Sequence, residues 1–249
     1  MPRRLLENVY RSMQKMIGEY DMKKTLAHII SFIAALWFIV ALLFTSLQLC
    51  LNDEAWFLKE YEKFGISRYI MIDTEDCTAA LMRLVGYMEG KYDTIQLEVV
   101  ENGRVVEMYN EREIDHMVDV RNLYQAFRLV RDIGIAAVAV MIAAVIIMKR
   151  REALSILAKE MLRAGTAFVV ILAALGLWVV LDFGSFWTAF HHLFFTNDLW
   201  LLDYATDRMI RICPQELFFD IIVRFALFFL AAFAALMAGA FVAAKRRNK

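Results

Sequence analysis

Of the 249 residues, 60% are hydrophobic, only 10 are Gly and 2 are Pro, and 28 basic side chains balance 28 acidic ones. That is more apolar surface than a soluble fold hides, so the composition excludes an ordinary soluble domain and points to a membrane protein. With zero net charge, the chain gives no sign of a nucleic-acid partner.

Residues 1–24 place Leu5, Leu6, Val9, Met13, Met16, Ile17 and Tyr20 on one helical face. An amphipathic helix on the cytoplasmic membrane surface is expected, with plain topology control as the simpler reading. The charged region is too long for a removable signal, and no small-residue cleavage site follows it. "TLAHIISFIAALWFIVALLFTSLQLC" (25–50) carries no formal charge and exceeds the about 20 residues that cross hydrocarbon, making it the first predicted span.

Residues 51–132 are predicted to form a small unit. "TAALMRLVGYMEG" (78–90) has helical spacing and a stop at Gly90. "TIQLEVVENGRVVEMY" (94–109) places two β-prone runs around Asn102-Gly103, the usual short-hairpin signal. "EREIDHMVDVRNLYQAFRLVRD" (111–132) reads as a helix that feeds directly into the second span, 133–148. A basic loop (149–163), a third span (164–181), a second outward segment (182–220), a fourth span (221–244) and a tail (245–249) follow, with Pro214 opening the last helix. The fold class expected is therefore a mainly α membrane protein, four transmembrane helices with a small mixed α/β extracytoplasmic subdomain between helices 1 and 2.

Charge sets the orientation. Residues 1–24, 149–163 and 245–249 hold 15 basic against 5 acidic side chains, whereas 51–132 and 182–220 hold 12 against 23. The positive-inside rule puts both termini and the central loop in the cytoplasm, and the two long segments outside. Cys50, Cys77 and Cys213 fall at or beyond the outer face and form neither a disulfide framework nor a zinc motif. A Cys77–Cys213 bridge is the one conceivable pairing, and packing is the simpler role.

The polar residues that carry chemistry are few. His28 stands near the start of the first span, with no acid nearby in sequence, and reads as an interface residue. Around His116, Arg112 and Glu113 lie four and three residues before it and Asp119 three after, so a carboxylate can share its face and orient the imidazole; a solvated, salt-bridged helix face is the alternative. In "FWTAFHHLFFTNDLW" (186–200), Trp187, Phe190, His191 and Phe194 share a face, and His192 is rotated away. An imidazole titrates near pH 6.5, suited to proton exchange near neutrality, and two of them on separate outward segments can serve one reaction. Arg224, the one charge inside a span, has Asp220 one turn before it; a structural pair and a lipid contact are equally consistent.

Three blocks in combination, "REIDHMVDVRNLY" (112–124), "FHHLFFTNDLW" (190–200) and "DRMIRICPQELFF" (207–219), resemble the signature regions of the bacterial lipoprotein intramolecular transacylase family. The resemblance implies a four-span enzyme of the bacterial plasma membrane, with its active site facing outward. Such an enzyme moves the sn-2 acyl chain of a diacylglyceryl-cysteine lipoprotein onto that cysteine's α-amine. It also implies His116 and His191 as catalytic, with no cofactor and no metal. The partners implied are a diacylated lipoprotein and membrane lipid, and a monomer is expected. Glu113, Asp119 and Arg112 are then supporting residues. Phe190, Phe194, Phe195 and Trp200 border an acyl-chain groove, and Arg224 contacts lipid. Arg112, Asn197 or Arg121 are candidate donors to an oxyanion. Two readings compete: a non-catalytic membrane protein that binds lipid or a partner outside, and a metal-dependent hydrolase using His116, His191 and Asp198 or Asp203.

Overall fold

The computed structural model describes residues 2–245. The side chains of Leu5, Leu6, Val9 and Ile17, and residues 246–249 of the predicted tail, lie outside the described residues. Nine α-helices and two strands follow one another among those described: α1 (Pro2–Leu51), α2 (Glu54–Phe64), α3 (Ile66–Ile70), α4 (Thr74–Glu89), β1 (Glu98–Glu101), β2 (Arg104–Glu107), α5 (Glu111–Lys149), α6 (Ala153–Leu181), α7 (Phe183–Phe194), α8 (Arg208–Ile212) and α9 (Gln215–Lys245).

Three helical runs are long and apolar enough to cross a membrane: Tyr10–Leu51, Glu111–Leu181 and Gln215–Lys245. The middle run is 71 residues long and is interrupted by a 3-10 turn at Arg150–Glu152. Arg150 there has φ of 33°, a left-handed conformation that an L-residue adopts only under strain, so α5 cannot continue straight through it. The helices extend beyond the predicted spans. Because no proline interrupts residues 3–51, the amphipathic stretch and the first apolar run form one helix, α1. The predicted loop 149–163 is helical from Ala153 onward, and α9 begins at Gln215, six residues before the predicted fourth span.

The chain divides into two compact units. One comprises the chain up to Leu42, Asp132–Ala173 and the chain from Ala232. Small side chains let its helices approach: Ala27, Ser31, Ala34 and Ala35 of α1 and Ala164 of α6 are all buried. A Cβ on Gly134 would fall 2.9 Å from the Trp37 ring, so only hydrogen fits there. Ile147, Val170 and Ile171 are exposed, the inverse of a water-facing surface. The expectation that His28 has no acid partner fails here. Its Nδ1 lies 2.6 Å from Glu160, a nearly buried carboxylate that also holds Arg163 at 2.6 Å. A partner 132 residues away is invisible to local spacing.

The second unit comprises Leu43–Arg131 and Ala174–Ala231. Its core joins Phe57 and Tyr61 of α2, Leu81 and Leu84 of α4, Val99 of β1, Met117 of α5, Met209 and Ile212 of α8 and Leu217 of α9. Asp53 caps α2 by accepting from the Trp56 N–H, and Gly65 ends it in the left-handed conformation. β1 and β2 pair antiparallel, Val99 opposite Val106 and Val100 opposite Val105. Asn102 (φ 52°) and Gly103 (φ 75°) make the turn, as the Asn-Gly signal predicts. Val99 packs inward and Val100 and Val105 outward, while Arg208 Nη2 bonds Glu101 at 2.5 Å to hold the hairpin against α8. All three cysteines are buried free thiols, so Cys77 and Cys213 do not pair.

Because Gly103 occupies a region that branched side chains avoid, Gly103→Val is expected to destabilise the hairpin by about 1–2 kcal/mol. Faster amide hydrogen exchange at Val99 and Val106, with unchanged exchange in α1, is the expected readout.

Candidate active site

Both histidines belong to the second unit, and their rings converge, with centroids 6.4 Å apart and planes inclined by 28°. His116 comes from α5, whose start is fixed by an unusual cap. The Asn110 side chain accepts the Glu113 N–H at 3.0 Å, while Glu113 Oε2 accepts the Asn110 N–H at 2.7 Å, a reciprocal capping box. The other Glu113 oxygen accepts the Met209 N–H of α8 at 2.5 Å. Glu113 is fully buried, and burial raises its pKa against the pull of the two backbone bonds. It therefore does not orient His116, as the spacing had suggested: both its oxygens are engaged by the main chain.

Asp119 and Arg112 are likewise engaged by other partners. Asn197 donates to Asp119 Oδ2 at 2.7 Å, and Arg112 donates to the Asp198 carbonyl. Asn110 reaches Asp207 Oδ1 at 2.8 Å, and Asp207 in turn accepts from the Asp203 N–H and the Thr206 hydroxyl. Burial alone would raise the Asp207 pKa, but these bonds outweigh it and leave the carboxyl below its usual range. Together these contacts pin residues 196–207 across the beginning of α5.

His191 arrives on α7, capped at its start by Asp182, which accepts the Ser185 N–H. The stripe predicted from spacing is present: His191 is buried and His192 exposed. His191 Nδ1 lies 2.7 Å from the Trp187 carbonyl oxygen. A carbonyl only accepts, so Nδ1 carries the hydrogen and Nε2 keeps a free lone pair in the neutral ring. Aromatic rings enclose the pair. Phe195 packs 5.6 Å from each imidazole, Trp187 lies edge-on to His191 at 4.7 Å, and Trp200 stacks on it at 4.7 Å and 28°. His192, to which the sequence assigned nothing, braces the Trp200 ring edge-on at 5.1 Å.

His116 stands in the charged first turns of α5, ahead of the apolar stretch predicted to span, and His191 stands on α7, between the predicted third and fourth spans. Burial lowers the His116 pKa to about 4, helped by the neighbouring His191 and Arg112 and opposed by Asp119. Burial also lowers that of His191, against the Trp187 bond, so both rings are neutral near pH 7. Two buried nitrogens in this cluster find no partner among the described residues: His116 Nδ1 and Trp200 Nε1. An unmet buried polar group is destabilising by about 1–3 kcal/mol, a cost that marks sites built to engage something else.

The predicted lipid contacts divide. Phe190 packs on Phe194 at 4.9 Å, and Phe194 meets Phe127, which lines a small crevice with Phe44, Tyr124 and Arg128. A second, more open groove is lined by Phe183, Phe219 and Lys63, and Phe183 stacks on Trp187. Phe195 is buried beside the two histidines and forms a wall of the pair. Arg224 pairs with Asp53 at 2.5 Å and lies over Trp56, whereas Asp220, its expected partner, binds Lys63. Among the described residues, no group of three or more His, Cys, Asp or Glu is arranged to hold a metal.

Comparison with known proteins then decides the family. The family "Lipoprotein intramolecular transacylase Lit" matches residues 32–219. The chain belongs to this family. Its fold is shared with the membrane-integral lipoprotein intramolecular transacylase Lit from Bacillus cereus, at a TM-score of 0.74 and 17% identity over 90% of this chain and 99% of that one. Variants of the same Bacillus cereus protein are similar too, one with a histidine changed to arginine (TM-score 0.69, 17% identity, 95% and 98% coverage) and one with it changed to alanine (0.68, 17%, 94% and 99%). No curated protein matches the chain in sequence. As a family member the chain is a membrane-integral lipoprotein transacylase.

Removing the Glu113 carboxylate strands two buried N–H groups, so Glu113→Ala is expected to lower stability by about 2–4 kcal/mol, read as a lower Tm in detergent. A second expectation concerns pH. His116 binds its proton less readily folded (about 4) than unfolded (near 6.5), so its contribution is full above pH 6.5 and is lost as pH falls toward 4. Glu113 acts in the opposite sense, so the comparison needed is wild type against His116→Phe. The wild type is expected to lose about 3 kcal/mol more stability across that window.

Proposed function

We propose that this transacylase moves the sn-2 acyl chain of a diacylglyceryl-cysteine lipoprotein to the same molecule's α-amine by histidine proton transfer. The observation that carries the reading is the 6.4 Å approach of two neutral, aromatic-walled imidazoles, one with its tautomer already set. The α-amine titrates near 7.7–8.0 and arrives largely as ammonium. One proton passes to solvent by way of His191 Nε2. The amine nitrogen then attacks the ester carbonyl carbon, forming the C–N bond and an oxyanion. His191 takes the second nitrogen proton, and its positive charge is stabilised by the Trp187 carbonyl on Nδ1. As the C–O bond to the glyceryl oxygen breaks, that proton reaches the departing alkoxide, with His116 as the second contact on the relay. The products are an N-acyl cysteine and a free sn-2 hydroxyl, and the imidazole is restored. Nucleophile and ester belong to one substrate, so folding it back on itself supplies much of the rate.

The same proposal extends to topology. The 71-residue run Glu111–Leu181 would measure about 106 Å if straight, more than three times a hydrocarbon core. Turning at Arg150–Glu152, it crosses twice, for four spans in all. The termini and the 149–163 segment then lie in the cytoplasm, and the histidines face outward at headgroup depth, where the ester of a lipoprotein lies. Phe190 and Phe194 border the acyl chain, Arg112 and Asp119 support the site through residues 196–207, and Arg224 holds α9 to α2 at the lipid boundary. No cofactor is needed, and the protein works as a monomer.

Expression in a bacterium that makes only diacyl lipoproteins tests this, with mass spectrometry of the lipoprotein N-terminus. The N-acyl lyso form is the expected product. His191→Ala and His116→Ala should each reduce it by about 10²-fold or more while keeping the folded protein. A lipoprotein left unchanged by the wild type would sink the proposal.

A further inference from the structure

Acyl transfer concentrates negative charge on the carbonyl oxygen, and the donors suggested by sequence are already committed. Arg112 is bonded to the Asp198 carbonyl and Asn197 to Asp119, while the Arg121 guanidinium lies 4.6 Å over the Tyr87 ring. One donor beside the histidines is not committed. Trp200 Nε1 is buried and meets no acceptor among the described residues. His116 Nδ1 shares that condition, but an imidazole nitrogen changes role with its tautomer, whereas an indole N–H only donates.

We propose that the Trp200 indole N–H is the oxyanion donor of the transfer, a catalytic residue that bonds the carbonyl oxygen as it becomes tetrahedral. The inference rests on the acyl-transfer reading of this site. The Trp200 ring lies face to face with His191, with centroids 4.7 Å apart and planes inclined by 28°, so its N–H belongs to the ring in contact with that imidazole. An amine held about 2.9 Å from His191 Nε2 attacks a carbonyl carbon whose oxygen is only one further bond away. A donor for that oxygen has to lie close to His191, and Trp200 stacks on that ring with an idle N–H. Its position is also fixed in advance. His192 braces it edge-on, and the Asp198 and Asn197 contacts tie its loop to Arg112 and Asp119 along one face of α5's first turns. Donors that need no reorganisation are the effective ones, and losing one reduces kcat by about 10²–10³-fold.

Two substitutions isolate the N–H: Trp200→Phe, and replacement of Trp200 by β-(3-benzothienyl)alanine, which keeps the bicyclic shape and lacks the donor. Each would be purified whole in detergent, checked for Tm, and assayed by mass spectrometry on a synthetic diacylglyceryl-cysteinyl peptide. The expected result is a fall in kcat of about 10²-fold or more with KM unchanged. Full kcat in the benzothienyl protein overturns the inference, as does a loss carried by KM alone. If Trp200→Phe does not fold, the benzothienyl protein decides. Failure of the underlying reading looks different: the wild type forms no N-acyl product, or His191→Ala matches it.

Discussion

A buried carboxylate has to be stabilised by hydrogen bonds, and at Glu113 both oxygens are satisfied by the main chain. One oxygen closes the cap of α5 with Asn110 and the other takes the Met209 N–H, so two segments 96 residues apart share one side chain. His116 follows a single turn later. Asn110 also holds Asp207, so the 196–207 segment is referenced to the same few atoms. The placement of one imidazole and of the loop that carries Trp200 therefore traces back to one side chain.

What this frame encloses is a buried aromatic cluster with very few polar contacts. Burial keeps both imidazoles neutral, the state needed to accept a proton from an ammonium. The single strong bond to His191 comes from a backbone carbonyl on its own helix and fixes the tautomer without adding a second charge. A carboxylate in that place would hold the proton more tightly and impede its return to an alkoxide. The aromatic walls contribute surfaces compatible with acyl chains.

Much of this was legible in the sequence. Hydropathy located the long helices, Asn102-Gly103 located the hairpin, and steps of three and four put His191 inside and His192 outside. The rest depended on partners that no local pattern reveals. Glu160 meets His28 from 132 residues away and Asp53 meets Arg224 from 171, and the nearer carboxylates, Glu113 and Asp220, proved to have other partners. Even so, the Asn110-x-x-Glu113 pattern was a readable capping signal, and it pointed to the true use of Glu113 more directly than its spacing from His116. Helix α2 escaped notice because five charges interrupt its eleven residues, and α3 because five residues are too short to show a helical period. Trp200 read as one border of an acyl-chain groove, since nothing in the sequence shows that an indole nitrogen is buried and unanswered.

The three buried thiols carry a consequence for biogenesis. Desolvation drives Cys77, and separately Cys213 beside Glu113, up to about 12, so near pH 7 both stay protonated thiols. A group so rarely ionised scarcely reacts with oxidants or disulfide-exchange catalysts. Once folded, this unit is held by packing, hydrogen bonds and ion pairs with no disulfide among its cysteines, so its folded state calls for no oxidative helper.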